Sequence, residues 1–313
     1  MGDELGIYLH IPFCRSKCSY CDFYSLAGGE GRMEEYQRAL LTHLRRVAER
    51  TGPLPADTVY FGGGTPSWYG AERLCAALQA LRESFALQPG AEITLEANPD
   101  SVDLDALNTL RRAGFNRLSL GLQSTCPEEL AAVRRPHTVL QGDRAVSMAR
   151  AAGFENLSLD LICGLPGQSG ESWRRTVEHA LSLEPDHLSC YGLTVEEHTP
   201  WPAVWPGGSS PSCPAGTTRR TGCCGRRSGW TGRDLSSTRS PTSPARGTSP
   251  SITCATGSPG PISPSDQGPT RTSGGGASPG SGTWRATSPP WSGGRSLGTA
   301  ARTSPAGSGS GST

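Results

Sequence analysis

Three cysteines stand close together near the start of the chain, directly after a short apolar run. Cys14, Cys18 and Cys21 have the spacing C-x3-C-x2-C. Cysteine thiolates are the usual ligands of iron–sulfur clusters, and three on one loop bind three irons of a [4Fe–4S] cubane. The fourth iron then stays open to a chelating ligand, such as the amino acid end of a small molecule. The spacing therefore predicts an iron–sulfur cluster with one exchangeable position.

A zinc site is the alternative for the same cysteines, with His10 as the nearest fourth ligand. Zinc sites favour paired C-x2-C knuckles. Only one such pair is present here, and no second knuckle follows in the next hundred residues. The sequence thus favours the cluster and leaves zinc as the second hypothesis.

The elements that must position these residues alternate as βα units over the first 200 residues or so. Apolar runs predict strands, and periodic stretches between them predict helices. The predicted strands are 5–11, 58–61, 92–97, 117–122, 157–162 and 187–191. The predicted helices are 34–48, 71–84, 104–113, 140–152 and 172–183. We expect an α/β fold with a parallel sheet that forms a partial barrel and binds its ligand at the carboxyl ends of the strands.

Six ordered motifs resemble the radical S-adenosylmethionine (SAM) superfamily, in particular its group of oxygen-independent coproporphyrinogen III oxidases and HemW-type haem chaperones. They are Tyr8-Leu-His-Ile-Pro-Phe-Cys, Tyr60-Phe-Gly-Gly-Gly-Thr-Pro-Ser, Glu92-Ile-Thr-Leu-Glu-Ala-Asn-Pro, Asn116-Arg-Leu-Ser-Leu-Gly-Leu-Gln-Ser, Asp160-Leu-Ile-Cys-Gly-Leu-Pro-Gly and Leu188-Ser-Cys-Tyr-Gly-Leu-Thr. The resemblance implies a partial (β/α)6 TIM-type barrel with a [4Fe–4S] cluster and SAM as cofactors.

The resemblance also implies which residues contact SAM. They are Tyr8, Tyr20, Gly63, Gly64, Thr65, Glu96, Gln123, Arg135 and Asp160. Glycines after a strand let backbone N–H groups approach a ligand, which is the contact we expect from the Gly-Gly-Gly-Thr motif. The family has Leu-Gly-Arg-x-His-Thr around the arginine, and Arg134 replaces the glycine of that motif.

Phe23 separates the two activities within this group. The oxidases carry a fourth cysteine two residues after the third, and Phe23 occupies that position here. The Cys-Asp-Phe pattern resembles the haem chaperones, so the resemblance implies haem as cargo, haem-accepting proteins as partners, and an electron donor such as a flavodoxin or ferredoxin. Oxidation of coproporphyrinogen III remains the alternative activity.

The composition limits which partners and which cellular compartment we expect. A net charge of +1 over 313 residues gives no basic stripe for nucleic acid. No apolar run is long enough to span a bilayer, and no secretory signal precedes the first strand. We expect a cytoplasmic protein that meets membranes only peripherally, through its haem acceptor.

Residues 201–313 have a different composition from residues 1–200. Beyond Pro206 there is no Lys, Glu, Phe, Tyr or Met, while Gly, Ser, Pro, Thr and Arg dominate. Such a low-complexity segment buries too little apolar surface to offset the entropy of ordering. We therefore expect a radical SAM core domain over 1–200 and no stable fold over 201–313.

A shifted reading frame accounts for this second segment. The family continues with Asn-Phe-Ala-Arg-Pro-Gly-His, a haem-associated His-Asn-x-x-Tyr-Trp motif and Gly-Pro-Gly-Ala-His. Codons for residues 241–248, regrouped from the third base of the first, allow the first motif. In the same register 252–257 allow Asn-Leu-Arg-Tyr-Trp and 266–270 allow Pro-Gly-Ala-His. We infer a frameshift, in the gene or its sequencing, between about Thr199 and Pro211.

Overall fold

The structure, a computed structural model, describes residues 5–193, Thr199 and 251–255. All of them lie in the first of the two units into which the chain divides, Met1–Thr270. Seven strands form one parallel, curled sheet in the order β1-β4-β5-β6-β7-β8-β9. They are β1 Leu5–Ile11, β4 Pro55–Gly63, β5 Ala86–Ala97, β6 Arg117–Gln123, β7 Asn156–Cys163, β8 His187–Gly192 and β9 Ser251–Ala255. A separate pair, β2 Phe13–Cys14 and β3 Leu26–Ala27, brackets the cysteine loop.

Helices connect the successive strands of the sheet. They are α1 Met33–Thr51, α2 Pro66–Tyr69, α3 Ala71–Ser84, α4 Leu104–Ala113, α5 Pro127–Ala132, α6 Val139–Ala151 and α7 Gly170–Ser182. Several begin at a side-chain cap. The Asp103 carboxylate accepts the N–H of Ala106 at 2.8 Å, and Thr138 and Ser169 form capping boxes at α6 and α7. These caps satisfy backbone donors that the first helical turn leaves unpaired.

Side chains alternate along the strands between the helix layer and the concave face of the sheet. In β7, Leu157, Leu159 and Leu161 are fully buried in the main hydrophobic core, whereas Ser158 and Asp160 carry the polar positions between them. A parallel sheet covered on both faces has strands that are apolar throughout. The alternation here therefore indicates that helices cover one face and that the other face is polar.

The predicted fold class is confirmed. All six predicted strands are present, and the five predicted helices fall within two residues of the observed bounds except at the C-terminal end of α1, which is three residues longer than predicted. The short helices α2 and α5 and the two-residue strands were not predicted. Strand β9 pairs with β8 from His187↔Ser251 to Tyr191↔Ala255 and lies in the segment for which we expected no fold. The rest of that segment lies outside the described residues.

In the described part of the chain, no helix has both the length and the apolar character needed to cross a bilayer.

Candidate functional site

The cysteine loop follows β1 and folds back on itself. Leu26 N donates to Pro12 O at 2.6 Å, which closes the loop at its base, and Cys21 N donates to Cys18 O at 3.2 Å in a turn. Cys14 is buried, and Cys18 and Cys21 are half-buried. All three cysteines are free thiols in one short loop, as the sequence predicts for cluster ligands.

Each of the three sulfur atoms is paired with a hydrogen-bond donor. Thr65 Oγ1 donates to Cys14 Sγ at 3.5 Å, and Arg135 Nη1 donates to Cys18 Sγ at 3.5 Å. The backbone N–H of Phe23 donates to the Cys21 sulfur. Donors of this kind stabilise thiolates and tune iron–sulfur clusters. Two of the three come from residues outside the loop, at the ends of other strands or in the connections that follow them.

Burial raises the pKa values of two cysteine thiols in the loop, Cys14 and Cys21. The pKa of Cys21 rises to about 11, chiefly through burial, and the neighbouring Cys18 and Cys14 raise it further. Burial also raises the pKa of Cys14, against the hydrogen bond from Thr65. The Cys14 and Cys21 thiols are therefore neutral near pH 7, and metal binding to them releases protons.

His10 is not available as a zinc ligand. Its Nε2 bonds to Tyr24 O at 2.8 Å and its Nδ1 bonds to the Tyr8 hydroxyl at 3.1 Å, so both ring nitrogens are used. Within the described residues, no three His, Cys, Asp or Glu side chains converge as a single metal ion requires. A cubane needs wider spacing, because each cysteine binds a different iron. The cluster hypothesis therefore fits better than zinc.

The Gly-Gly-Gly-Thr motif ends β4 and packs directly against the cysteine loop. A Cβ on Gly64 would lie 2.7 Å from Phe13 O and 3.0 Å from Cys14 Sγ, and Gly63 has φ +120°. We expected the backbone N–H groups here to face a ligand, and that expectation is wrong. Gly63 N donates to Glu96 Oε2, Gly64 N to Ile11 O and Thr65 N to Phe13 O. These glycines allow close approach of the loop, and their N–H groups hold it in place.

Glu96 lies on the concave face near the end of β5. Its carboxylate accepts the Tyr60 hydroxyl at 2.6 Å and the Gly63 N–H at 3.1 Å. Burial raises the pKa of Glu96 to about 7, and the Asp160 carboxylate raises it further against these two hydrogen bonds. Tyr8 stacks on Tyr60 with ring centroids 6.0 Å apart. Glu96 and Tyr8 thus share one polar wall of the concave face.

Asp160 occupies the matching position on β7. Ser119 Oγ approaches both carboxylate oxygens, at 3.1 and 3.0 Å. Burial raises the pKa of Asp160, while hydrogen bonds from Ser189 and Ser119 and the charge of Arg117 act in the opposite direction. The second buried acid therefore has a hydroxyl partner on each neighbouring strand.

Gln123 ends β6 in an unusual backbone conformation. Its φ is +65°, Ser124 N donates to Leu122 O at 2.8 Å, and the register with β7 shifts between Gly121 and Gln123. Such tight turns are strained and concentrate at functional sites. At this turn the side chains no longer alternate between the two faces of the sheet as they do along the rest of β6.

Three polar side chains converge above Gly121. A Cβ there would lie 2.6 Å from Arg135 Nη2, 2.8 Å from Gln123 Nε2 and 3.1 Å from Asn98 Oδ1. Asn98 Nδ2 also donates to Thr65 Oγ1 at 3.1 Å. Arg135 and Thr65 each contact a cluster cysteine. The structure therefore brings Gln123, Arg135 and Thr65 together beside the cysteine loop.

Tyr20 packs against the small apolar cluster of Val133, Ile162 and Leu165, between the cysteine loop and the connections after β6 and β7. Burial raises the pKa of its hydroxyl, so the side chain remains a neutral phenol.

Arg134, which replaces the family's glycine, has φ +55°. That is the left-handed conformation that glycine adopts at least cost, so the loop geometry is retained at a cost in strain.

The sequence analysis missed several residues of this site. Asn98, Tyr60 and Ser119 contact predicted site residues, and Glu129, which is 2 % exposed, accepts Ser124 Oγ at 2.6 Å next to Gln123. Tyr60 and Ser119 lie inside two of the quoted motifs but were not assigned to the site, and period-two alternation along the strands would have marked them. Glu129 lies on the short, unpredicted helix α5, and no sequence pattern marks it.

The residues present fit an iron–sulfur cluster with a bound amino acid ligand. Ser19 Oγ in the cysteine loop and Arg135 Nε beside it are buried and lack a hydrogen-bond partner in the described part of the chain. Buried polar atoms are nearly always paired in complete structures. Their concentration around free, donor-paired cysteines indicates a place for a polar group.

Comparison with known proteins identifies the family of the chain. The radical SAM superfamily matches residues 8–180. The haem chaperone HemW of Mycobacterium tuberculosis is 42% identical over 201 residues, which cover 63% of this chain and 52% of that protein. HemW of Escherichia coli K12 is 39% identical over 196 residues (62% and 52%), and the oxygen-independent coproporphyrinogen III oxidase of Bradyrhizobium diazoefficiens is 36% identical over 193 residues (61% and 43%). The chain thus spans about half the length of the curated relatives it matches.

Among solved structures, coproporphyrinogen III oxidase HemN of Escherichia coli, described as a radical SAM enzyme, aligns with a TM-score of 0.59 at 31% identity. The alignment covers 65% of this chain and 46% of that one. The sheet, the cysteine loop and the family match agree. The chain belongs to the radical SAM superfamily, whose cofactors are a [4Fe–4S] cluster and SAM.

Proposed function

We propose that this chain is the radical SAM part of a haem chaperone of the HemW type. Phe23 carries the proposal, because it stands where the related oxidases have a fourth cysteine. Two relatives of the chaperone type, at 42% and 39% identity, point the same way. Haem is then the cargo and haem-accepting proteins are the partners.

Each site residue has a defined role in this proposal. Cys14, Cys18 and Cys21 hold the cluster, and the donors from Thr65, Arg135 and Phe23 stabilise its sulfur ligands. The side chains proposed to hold SAM against the open iron are Tyr8, Tyr20, Thr65, Glu96, Gln123, Arg135 and Asp160. The backbone carbonyls of Gly63 and Gly64 are proposed to accept from the amino group of SAM, since the N–H groups of both glycines bond within the protein. When bound, the cluster supplies an electron that cleaves the SAM sulfonium to a 5′-deoxyadenosyl radical.

The proposal includes the setting in which the chain works. We place it in the cytoplasm, with an electron donor such as a flavodoxin or ferredoxin to reduce the cluster. Contact with a membrane is peripheral and passes through the haem acceptor. Nucleic acid is not a partner, since a net charge of +1 offers no broad basic surface.

The cluster assignment is tested by anaerobic reconstitution of single cysteine variants. We expect Cys21→Ser to lose most of its iron and sulfide relative to the native chain. Cys75→Ser, a half-buried free cysteine on α3, is the matched control and keeps the native iron content. Equal iron in both variants, or zinc in place of iron and sulfide, would refute the assignment.

The choice between chaperone and oxidase is tested with the same protein. Reconstituted chain, SAM and a reductant are incubated anaerobically with coproporphyrinogen III. We expect no conversion of the porphyrinogen, because the fourth loop cysteine is replaced by Phe23. Conversion above the level of Cys21→Ser would favour the oxidase instead.

A further inference from the structure

Two side-chain hydrogen bonds tie the connection between α5 and α6 to the end of β6. Arg135 Nη2 donates to Gly121 O at 3.1 Å, and His137 Nε2 bonds to Leu122 O at 3.2 Å. The two acceptor carbonyls belong to the two residues directly before Gln123. The positions of Arg135 and Gln123 therefore depend on the same short stretch of backbone.

The bond from His137 is not needed to satisfy its acceptor. Leu122 O already accepts the N–H of Ser124 at 2.8 Å across the Gln123 turn. A carbonyl with one such partner is paired, so an apolar side chain in place of His137 would leave no orphaned backbone group. The bond from His137 Nε2 is the second one to Leu122 O, and it holds one end of the turn whose central residue, Gln123, has φ +65°.

His137 is held in one tautomer and one charge state. The side chain is 4 % exposed, and because a carbonyl only accepts hydrogen bonds, the ring proton lies on Nε2. Nδ1 is buried and has no protein partner among the described residues. Burial and the nearby Arg135 charge lower the pKa of His137 to about 4. The donor to Leu122 O is thus neutral and permanent near pH 7.

We propose that His137 is a positioning residue for the SAM site: its bond to Leu122 O holds the left-handed turn at Gln123 and keeps Gln123 and Arg135 beside the cysteine loop. It acts through these two residues and does not touch SAM or the cluster. The inference rests on the proposed contacts of Gln123 and Arg135 with SAM. It adds a residue outside the set assigned to those contacts.

Four variants test this role. His137→Ala removes the donor, and His137→Gln keeps a side-chain N–H of similar reach. His43→Ala repeats the chemical change at an exposed position of α1, and Leu78→Ala destabilises the core of α3 without changing the site. Each is reconstituted anaerobically, and SAM is titrated against the electron paramagnetic resonance spectrum of the reduced cluster. Melting temperature, iron content and hydrogen exchange of the Ser124 amide are measured on the same samples.

We expect His137→Ala to weaken SAM binding by roughly 10- to 100-fold, the range found when residues that orient ligands from outside the first contact layer are removed. Exchange of the Ser124 amide speeds up, while iron content stays native. His137→Gln restores SAM affinity toward the native value, and His43→Ala is unchanged. Should His137→Ala fail to fold, His137→Asn replaces it, since the shorter amide does not reach Leu122 O.

Two outcomes would overturn the inference. One is a loss of SAM affinity in His137→Ala that is no larger than in Leu78→Ala, together with unchanged exchange of the Ser124 amide. That result would show that His137 only packs in the core. The other is equal weakening in His137→Ala and His137→Gln. Failure of the native chain to bind SAM would instead refute the proposed SAM site, and the Ser124 exchange would still decide whether His137 holds the turn.

Discussion

Glu96 and Asp160 show how the concave face places acidic groups where water is scarce. Both carboxylates are held by hydroxyl donors from neighbouring strands, Tyr60 and Ser119. Burial nevertheless raises the pKa of each, and the Asp160 carboxylate raises the pKa of Glu96 further. A cationic ligand between them would offset this cost, since nearby positive charge favours the ionised form. SAM carries such a charge on its sulfonium.

The Glu96 carboxyl gives a pH dependence with a definite sign. Its folded pKa is about 7, against an ordinary value of 4.5. Between these values the folded chain binds a proton that the unfolded chain has lost, so the free energy of unfolding falls as pH rises through the window. We expect the native chain without cofactors to lose more stability than Glu96→Gln from pH 4.5 to pH 7, measured by urea unfolding. Parallel curves for the two proteins would contradict the raised pKa.

Arg134 gives a second prediction at the scale of one residue. A non-glycine residue at φ +55° carries strain that glycine avoids, although glycine also raises the entropy of the unfolded chain. The net effect of Arg134→Gly is expected to be a gain of up to about 1 kcal/mol in the free energy of unfolding. Arg134→Ala is the control, because it removes the exposed charge but keeps the Cβ. A gain of the same size in Arg134→Ala would attribute the effect to charge.

At the scale of the element, the sequence predicts strands and long helices well for a physical reason. Burial requires alternation in strands and periodicity in helices, and both are visible along β7 and α4. The short helix α5 and the Gln123 turn depend on contacts with distant residues such as His137 and Thr176, which leave no local pattern. Site residues carried by motifs were therefore predictable, whereas supporting residues outside the motifs, such as Glu129 and Thr176, were not.

The packing of β4 against the cysteine loop makes Gly64 sensitive to substitution. An added Cβ would meet Phe13 O at 2.7 Å and Cys14 Sγ at 3.0 Å, and backbone cannot move aside cheaply. We expect Gly64→Ala to displace the loop and to lose most of its iron after anaerobic reconstitution. Gly31→Ala is the matched control, since no atom lies within 4 Å of its added Cβ. Native iron content in Gly64→Ala would show that the loop adapts.

At the scale of the whole molecule, the question is which part of its longer relatives this chain represents. The chain matches about half of each curated relative, and the match covers the part that holds the cluster and SAM. The haem-associated His-Asn-x-x-Tyr-Trp motif lies, in our interpretation, in the shifted reading frame of residues 252–257. On that interpretation, the chain as printed would keep the proposed cofactor site and lack this motif.

The shifted frame predicts that two versions of the chain assemble the cluster equally well but differ in haem binding. The printed chain and a version with the frame restored before Pro211 are both reconstituted and titrated with haem, followed by absorption. We expect equal iron content in the two proteins, because residues 1–200 are identical, and tight stoichiometric haem binding only in the frame-restored protein. A fragment of residues 1–200 serves as the control and matches the printed chain. Tight haem binding by both the printed chain and the 1–200 fragment would place the haem site within the first 200 residues and remove the need for the shifted motifs.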